Sequence, residues 1–319
     1  YMPSKWELKN YFSHNLDSLA SKKGFGIIKS TPYGNTILTD LALKILKNEE
    51  LGKNNTTDFL SISFSSTDYI GHQYGPHSQE IFDTYIKLDR DIAKLLKYLN
   101  DNIGKENIVV FLTADHGVSS EPHKLLDFNI PAGYFQKNEA ISELTKHLRD
   151  YFDWPSDDIK AQEFISNFSN NQLFLNHDFI EKNIGAGKSN SIAEICAKFF
   201  LKQDGVKNTF TAYQMHNYQY SHSTHAIIQQ GFNHKRSGDV IIELEPGWIG
   251  DGWEDGGTTH GSSHSYDTHV PLIFWGNKIP RGKTTKLVNV KDIAPTISSI
   301  LEISFPNGCT GNPLVEITK

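Results

Sequence analysis

Two apolar runs, Phe59-Leu-Ser-Ile-Ser-Phe64 and Ile108-Val-Val-Phe-Leu112, each stop within four residues of an aspartate that has a histidine close by. The first alternates large and small side chains, the period of a strand. The second is continuous and β-branched, as a parallel strand covered on both faces would be. Between them Ile81, Phe82, Tyr85, Leu88, Ile92, Leu95, Leu96 and Leu99 recur at helical spacing, predicting a long helix over 78–99. Strand, loop, helix and strand make a βαβ unit. The expected class is therefore α/β, with a mostly parallel sheet flanked by helices.

The remaining chain divides around this unit. Ser4-Lys-Trp-Glu7 has the form of a capping box opening a helix that runs to Leu19, and apolar spacing predicts another helix over 36–51. From 121 to 247 the texture changes. Short helices are expected over 139–152 and 191–202, and strands over 172–175, 209–213 and 239–244, separated by Asn, Gln, Asp and Ser. This stretch reads as an inserted αβ subdomain. A strand over 270–275 and a helix over 290–301 resume the core. The expected division is a first α/β core segment at 1–120, the inserted subdomain at 121–247 and a second core segment at 248–319.

Both aspartate–histidine sets follow strand ends, and in open parallel α/β sheets ligands bind outside the carboxyl ends of strands. Asp68 and His72 are placed on the loop leaving the first strand, with Gly71, Gly75 and Pro76 allowing a bend. Asp115 and His116 end the second, where Gly117 allows a sharp turn. A third element, Gly256-Gly-Thr-Thr-His-Gly261, sets a histidine among glycines that permit close approach to an ion. His260 and His264 compete as its ligand, and His260 is favoured. His77, Ser78 and His123 are candidate cleft residues, and His269 is assigned to structure. Together these residues predict a metal centre. It must use nitrogen and oxygen donors, because the chain has fourteen histidines and only two cysteines, Cys196 and Cys309. Those cysteines allow one disulfide or two thiols.

Other classes are excluded more simply. The net charge is −6 and the basic residues are scattered, so there is no electrostatic footprint for nucleic acid. No apolar run approaches the ~20 residues needed to span a bilayer. Oligomeric state is not legible.

Ser66-Thr-Asp-Tyr-Ile-Gly-His-Gln-Tyr-Gly-Pro76, Thr113-Ala-Asp-His-Gly117 and Thr259-His-Gly-Ser-Ser-His-Ser-Tyr-Asp-Thr-His-Val-Pro271 resemble the alkaline phosphatase superfamily. Within it they are similar to the type I phosphodiesterase/nucleotide pyrophosphatase branch, and most to flavobacterial periplasmic alkaline phosphatases with a threonine nucleophile. The resemblance implies a zinc-dependent phosphate monoester hydrolase acting on a small ester substrate through two zinc ions and a covalent phosphoenzyme. It places Asp68, His72 and His260 on one zinc. It places Asp115 and His116 on the second, shared with an aspartate from an earlier strand. It also implies a periplasmic or secreted enzyme. A phosphodiesterase of the same superfamily is the alternative, and a non-catalytic metal-binding remnant is the alternative of another class.

Two components of that machinery have no counterpart in these residues. No apolar strand ending in aspartate precedes Asp68, and Thr31 and Thr39 match no nucleophile position. The expectation is a C-terminal portion of a longer enzyme, with the threonine or serine nucleophile upstream of Tyr1. It carries one complete zinc site, one incomplete site and an exposed sheet edge, and is inactive alone.

Overall fold

Local signals mark where the helices begin and end. Ser78 accepts a hydrogen bond from the Ile81 N–H and opens a 24-residue helix, and Thr31 precedes another that starts at Pro32. A computed structural model of the chain describes residue 12 and residues 14–153, 163–221 and 223–318. The capping box at Ser4–Glu7 lies outside these residues. The helices are α1 (Leu16–Lys23), α2 (Pro32–Asn48), α3 (Ser66–Tyr74), α4 (Gln79–Asn102), α5 (Pro122–Asp127) and α6 (Lys137–Tyr151). They continue with α7 (His177–Asn183), α8 (Ser189–Phe200), α9 (Ala212–Asn217), α10 (Ser223–Gly231), α11 (Ser265–Thr268), α12 (Ile293–Ile300) and α13 (Val315–Thr318). The strands are β1 (Val109–Thr113), β2 (Gly133–Phe135), β3 (Ile165–Ser169), β4 (Gln172–Leu175), β5 (Val206–Thr211), β6 (Val240–Leu244), β7 (Trp248–Gly250) and β8 (Leu272–Gly276).

The chain forms an α/β structure of two compact units. One contains residues 71–77 and 118–268; the other contains 12–70, 78–117 and 269–319.

The first unit holds a four-stranded antiparallel sheet in the order β3-β4-β6-β5, and a short parallel pair, β2 with β7. Its core is where the alternation of the strands meets the apolar stripes of α6 and α8. Leu144, Leu148, Phe164, Leu173, Phe200 and Val240 are all fully buried there. Each such side chain contributes about 1.5–3 kcal/mol relative to exposure. Cys196 sits in this core, and burial, with the charge of Asp239, pushes its thiol up to about 12. Both cysteines are thiols rather than a disulfide.

In the second unit α2 packs on α4. Asn35, Thr39, Ala42 and Leu46 form the buried stripe of α2, and Thr36 Oγ1 donates to Asp91 Oδ2 of α4 at 2.8 Å. β1 pairs with β8 alone, antiparallel, with Phe111 opposite Phe274.

Four expectations need amendment. Residues 59–64 join no ladder among the described residues. Their period of two survives, since Leu60, Ile62 and Phe64 are half-buried while Ser61 and Ser63 are exposed. An alternating sequence makes a strand only when a neighbour accepts its hydrogen bonds. Among the described residues, the parallel order expected for the main sheet is likewise seen only in β2–β7. β1, predicted to be covered on both faces, keeps Val109 exposed and the rest half-buried. Finally, Asp68 and His72 are not on a loop but on α3.

The β1–β8 pair leaves both outer edges without ladder partners among the described residues, and Ile273 on β8 is 56% exposed. Unpaired strand edges template association. The 319-residue chain on its own is therefore expected to self-associate with rising concentration in sedimentation velocity, and Ile273→Lys to suppress that association.

Candidate metal-binding residues

α3 carries two of the five sequence-predicted ligands. Asp68 lies in its first turn, where the helix dipole favours a carboxylate. His72 follows one turn later, so both share a face. The helix stops because Gly75 adopts φ +81°. That φ favours glycine, and a side chain there would also have to displace the Glu121 carboxylate. The start of α3 is fixed by Asn35, which is fully buried on α2. Its Oδ1 accepts from Ser66 N at 3.3 Å and its Nδ2 donates to Thr67 Oγ1 at 3.1 Å.

In the unit of residues 12–70 and 78–117, Asp68, Asp115 and His116 come together. His116 Nε2 lies 4.0 Å from Asp68 Oδ1 and 3.6 Å from Asp115 Oδ2. The turn between Asp115 and His116 is held by the His116 N–H donating to Asp115 Oδ1 at 3.2 Å. Gly117 does not make this turn with a positive φ; its carbonyl instead accepts from His116 Nδ1 at 2.9 Å. A carbonyl can only accept, so Nδ1 carries a proton there and Nε2 is the nitrogen turned toward the two carboxylates.

In the unit of residues 71–77 and 118–268, His72 and His260 face each other, with Nε2 atoms 3.2 Å apart. His72 Nδ1 donates to the Thr258 carbonyl at 2.8 Å, which makes Nε2 the nitrogen turned on His260. Thr258 N donates back to the His72 carbonyl at 3.1 Å, and Thr258 Oγ1 donates to the Ser119 carbonyl at 2.9 Å. Trp253 stacks on His72 with ring centroids 5.1 Å apart and planes 11° from parallel. The ring of His72 is thus fixed in plane and tautomer.

Metal-binding histidines characteristically donate their second nitrogen to a carbonyl or carboxylate, which sets the tautomer and raises ligand basicity. Both His72 and His116 do so. An imidazole nitrogen and carboxylate oxygens turned on one another are the donor types that a divalent metal ion takes, so these residues fit one. His264 is a different case: it is buried and pairs Nε2 with the Leu244 carbonyl at 2.9 Å. His77 pairs with Ser120 Oγ, His123 with the Glu254 carbonyl, and Ser78 caps α4. His269 is exposed. Thr31 and Thr39 are buried and donate to the Ile28 and Asn35 carbonyls. Neither presents a hydroxyl for attack.

Asn35, Thr258 and Gly257 position the site without standing out in the sequence. Asn35 leaves a trace, a polar residue on the apolar stripe of α2. Thr258 and Gly257 leave only their membership of a glycine-rich loop.

Comparison with known proteins shows the family. Residues 1–267 match the family model of type I phosphodiesterase/nucleotide pyrophosphatase. The chain belongs to this family. Among relatives of the type I phosphodiesterase family, alkaline phosphatase PafA of Elizabethkingia meningoseptica is 32% identical over 292 residues, 92% of this chain and 52% of its own. A Myroides odoratus protein named calcium-transporting ATPase is 40% identical over 314 residues, 98% of this chain and 56% of its own. The crystal structure of wild-type PafA superposes with a TM-score of 0.87 at 30% identity, over 99% of this chain and 59% of that one. The chain therefore spans about half the length of these relatives. None of its described helices is long and apolar enough to cross a membrane.

Proposed function

We propose that the protein is a zinc-dependent phosphate monoester hydrolase, secreted or periplasmic, acting on small phosphate esters through a phosphoenzyme. The observation that carries this reading is the pair of histidines, His72 and His116, each with Nδ1 on a backbone carbonyl and Nε2 turned on other candidate ligands, His260 for the first and Asp68 and Asp115 for the second. Identity to the alkaline phosphatase PafA supports the reaction class.

Asp68, His72 and His260 would hold one zinc. Asp115 and His116 would contribute to the second, together with an aspartate from the portion of the family's length that this chain does not span. Mixed carboxylate and imidazole donors suit zinc. Two such ions ~4 Å apart stabilise the attacking and leaving oxygens of an in-line displacement. The residues of this chain do the positioning. Thr258 and Trp253 fix the His72 ring, Gly117 fixes His116, and Asn35 sets the helix that carries Asp68. The nucleophile, a threonine or serine by family resemblance, is assigned to the same unspanned portion.

The test is hydrolysis of an aryl phosphate against its methyl diester by the complete protein. A higher kcat/KM for the monoester is expected. A diester preference would instead make the protein a phosphodiesterase of the same family. Zinc binding with no turnover of either ester would leave a metal-binding remnant.

A further inference from the structure

We propose that Asp267 and Glu243, two buried carboxylates outside the ligand set, are positioning residues that hold the His260 loop ready for metal. The inference rests on the assignment of His260 as a ligand.

Asp267 is 3% exposed and Glu243 is 5% exposed. Burying a carboxylate costs several kcal/mol unless hydrogen bonds satisfy it. Asp267 gathers three donors from one stretch of chain, and Glu243, which Lys207 and Asn208 also satisfy, takes one more from it. Asp267 Oδ2 accepts three hydrogen bonds from the two residues after His260: Gly261 N at 3.0 Å, Ser262 N at 2.7 Å and Ser262 Oγ at 2.6 Å. Glu243 Oε1 accepts from Ser263 Oγ at 3.1 Å. The next residue, His264, reaches the Leu244 carbonyl beside Glu243 on the same strand. Four consecutive residues are thereby anchored, two to Asp267 and two to β6.

The anchors are themselves rigid. β6 is an inner strand, paired on both sides by β4 and β5. Burial opposes the charge on Glu243, but hydrogen bonds from Asn208 and Thr224, the charge of Lys207 and the Ser263 bond outweigh it and hold the carboxyl below its ordinary range. The Asp267 N–H donates to the His264 carbonyl at 3.0 Å, closing the loop on itself. On the other side of His260, Thr258 makes its two backbone bonds to His72. Only Thr259 separates His260 from that fixed point. His260 thus projects from a loop pinned on both flanks, and the pin on the far flank is acidic. Gly261 takes φ +110° to bring its N–H onto Asp267. Loss of Asp267 releases three donors at once and lets the imidazole wander from His72.

The experiment is zinc affinity of the complete protein, read by competition with a chromophoric chelator, for Asp267→Ala, Asp267→Asn, Glu243→Gln, His260→Ala and the Asp267→Ala/His260→Ala double variant. Asp267→Ala is expected to weaken the affected site about 10–100-fold, the usual cost of losing a partner that orients a ligand. Asp267→Asn keeps an accepting oxygen and recovers most of the affinity, and it guards against a fold lost in the alanine variant. Glu243→Gln, which also keeps an accepting oxygen, gives a smaller loss than Asp267→Ala. The double variant binds no more weakly than His260→Ala, because a residue acting only through His260 has nothing left to position. Wild-type affinity in Asp267→Ala, or a loss that adds in full to that of His260→Ala, overturns the inference. Wild-type affinity in His260→Ala overturns the ligand assignment instead, so the two failures are separable.

Discussion

Replacing His72 by alanine in the complete protein empties one zinc position and lowers turnover of an aryl phosphate on the order of a thousandfold. The size follows from the chemistry that this nitrogen supports. A metal ion supplies several kcal/mol of transition-state charge stabilisation, and each 1.36 kcal/mol is tenfold in rate, so losing ~4 kcal/mol costs about three orders of magnitude. The substitution also removes the partner on which Trp253 stacks and to which Thr258 is tied, so the neighbouring His260 loses its orientation as well. Elemental analysis after gel filtration, with steady-state kinetics on the same sample, checks both halves of the expectation. Two zinc ions retained at full turnover would remove His72 from the ligand set.

Gly257→Ala, which alters no ligand side chain, is expected to cost nearly as much. Gly257 sits at φ +87°, and a Cβ there would drive into the backbone carbonyl of His72, with the Trp253 ring 3.2 Å away and the Gln73 carbonyl 3.3 Å away. None of these atoms is the loose end of a flexible side chain. Positive φ at a side-chain-bearing residue costs about 1–3 kcal/mol, and overpacking adds about 1–3 kcal/mol. The melting temperature should fall by roughly 10 °C, since 1 kcal/mol shifts a unit of this size by about 2–4 °C. The chain can relieve the clash only by drawing residue 258 away from His72, which breaks both backbone bonds there. Added zinc should therefore stabilise the variant less than the wild type. Calorimetry with and without zinc measures the difference, and an undiminished zinc-induced shift would show that the loop is not the clamp described here.

The sequence is most legible where period and punctuation agree. The helix over 78–99 has both a capping serine and an unbroken apolar stripe, and it is found over Gln79–Asn102. The strands expected over 172–175 and 239–244 appear almost residue for residue, the first because alternation coincides with burial on one face, the second because a short β-branched run fills an inner, largely buried strand. The segment over 59–64 has the right alternation but no ladder, since pairing is decided by a partner elsewhere in the chain. Asp68 reads as a loop residue because Gly71 inside the motif looks like a break; tertiary anchoring by Asn35 lets the helix run through it. At the candidate site, residue types speak clearly and partners do not. A histidine such as His72 is visible in sequence. The carbonyl that selects its tautomer is not, because every residue carries one.

That last point bears on how such a centre is probed. The Thr258 carbonyl would survive every side-chain replacement at its own position except those that move the backbone. An alanine scan would pass over residue 258 with at most the loss of its hydroxyl contact to Ser119. The control of His72 would go unrecorded, and its weight would surface one residue earlier, at a glycine with no side chain to delete. In a centre wired through main-chain atoms, sensitivity maps onto conformation rather than onto chemical identity.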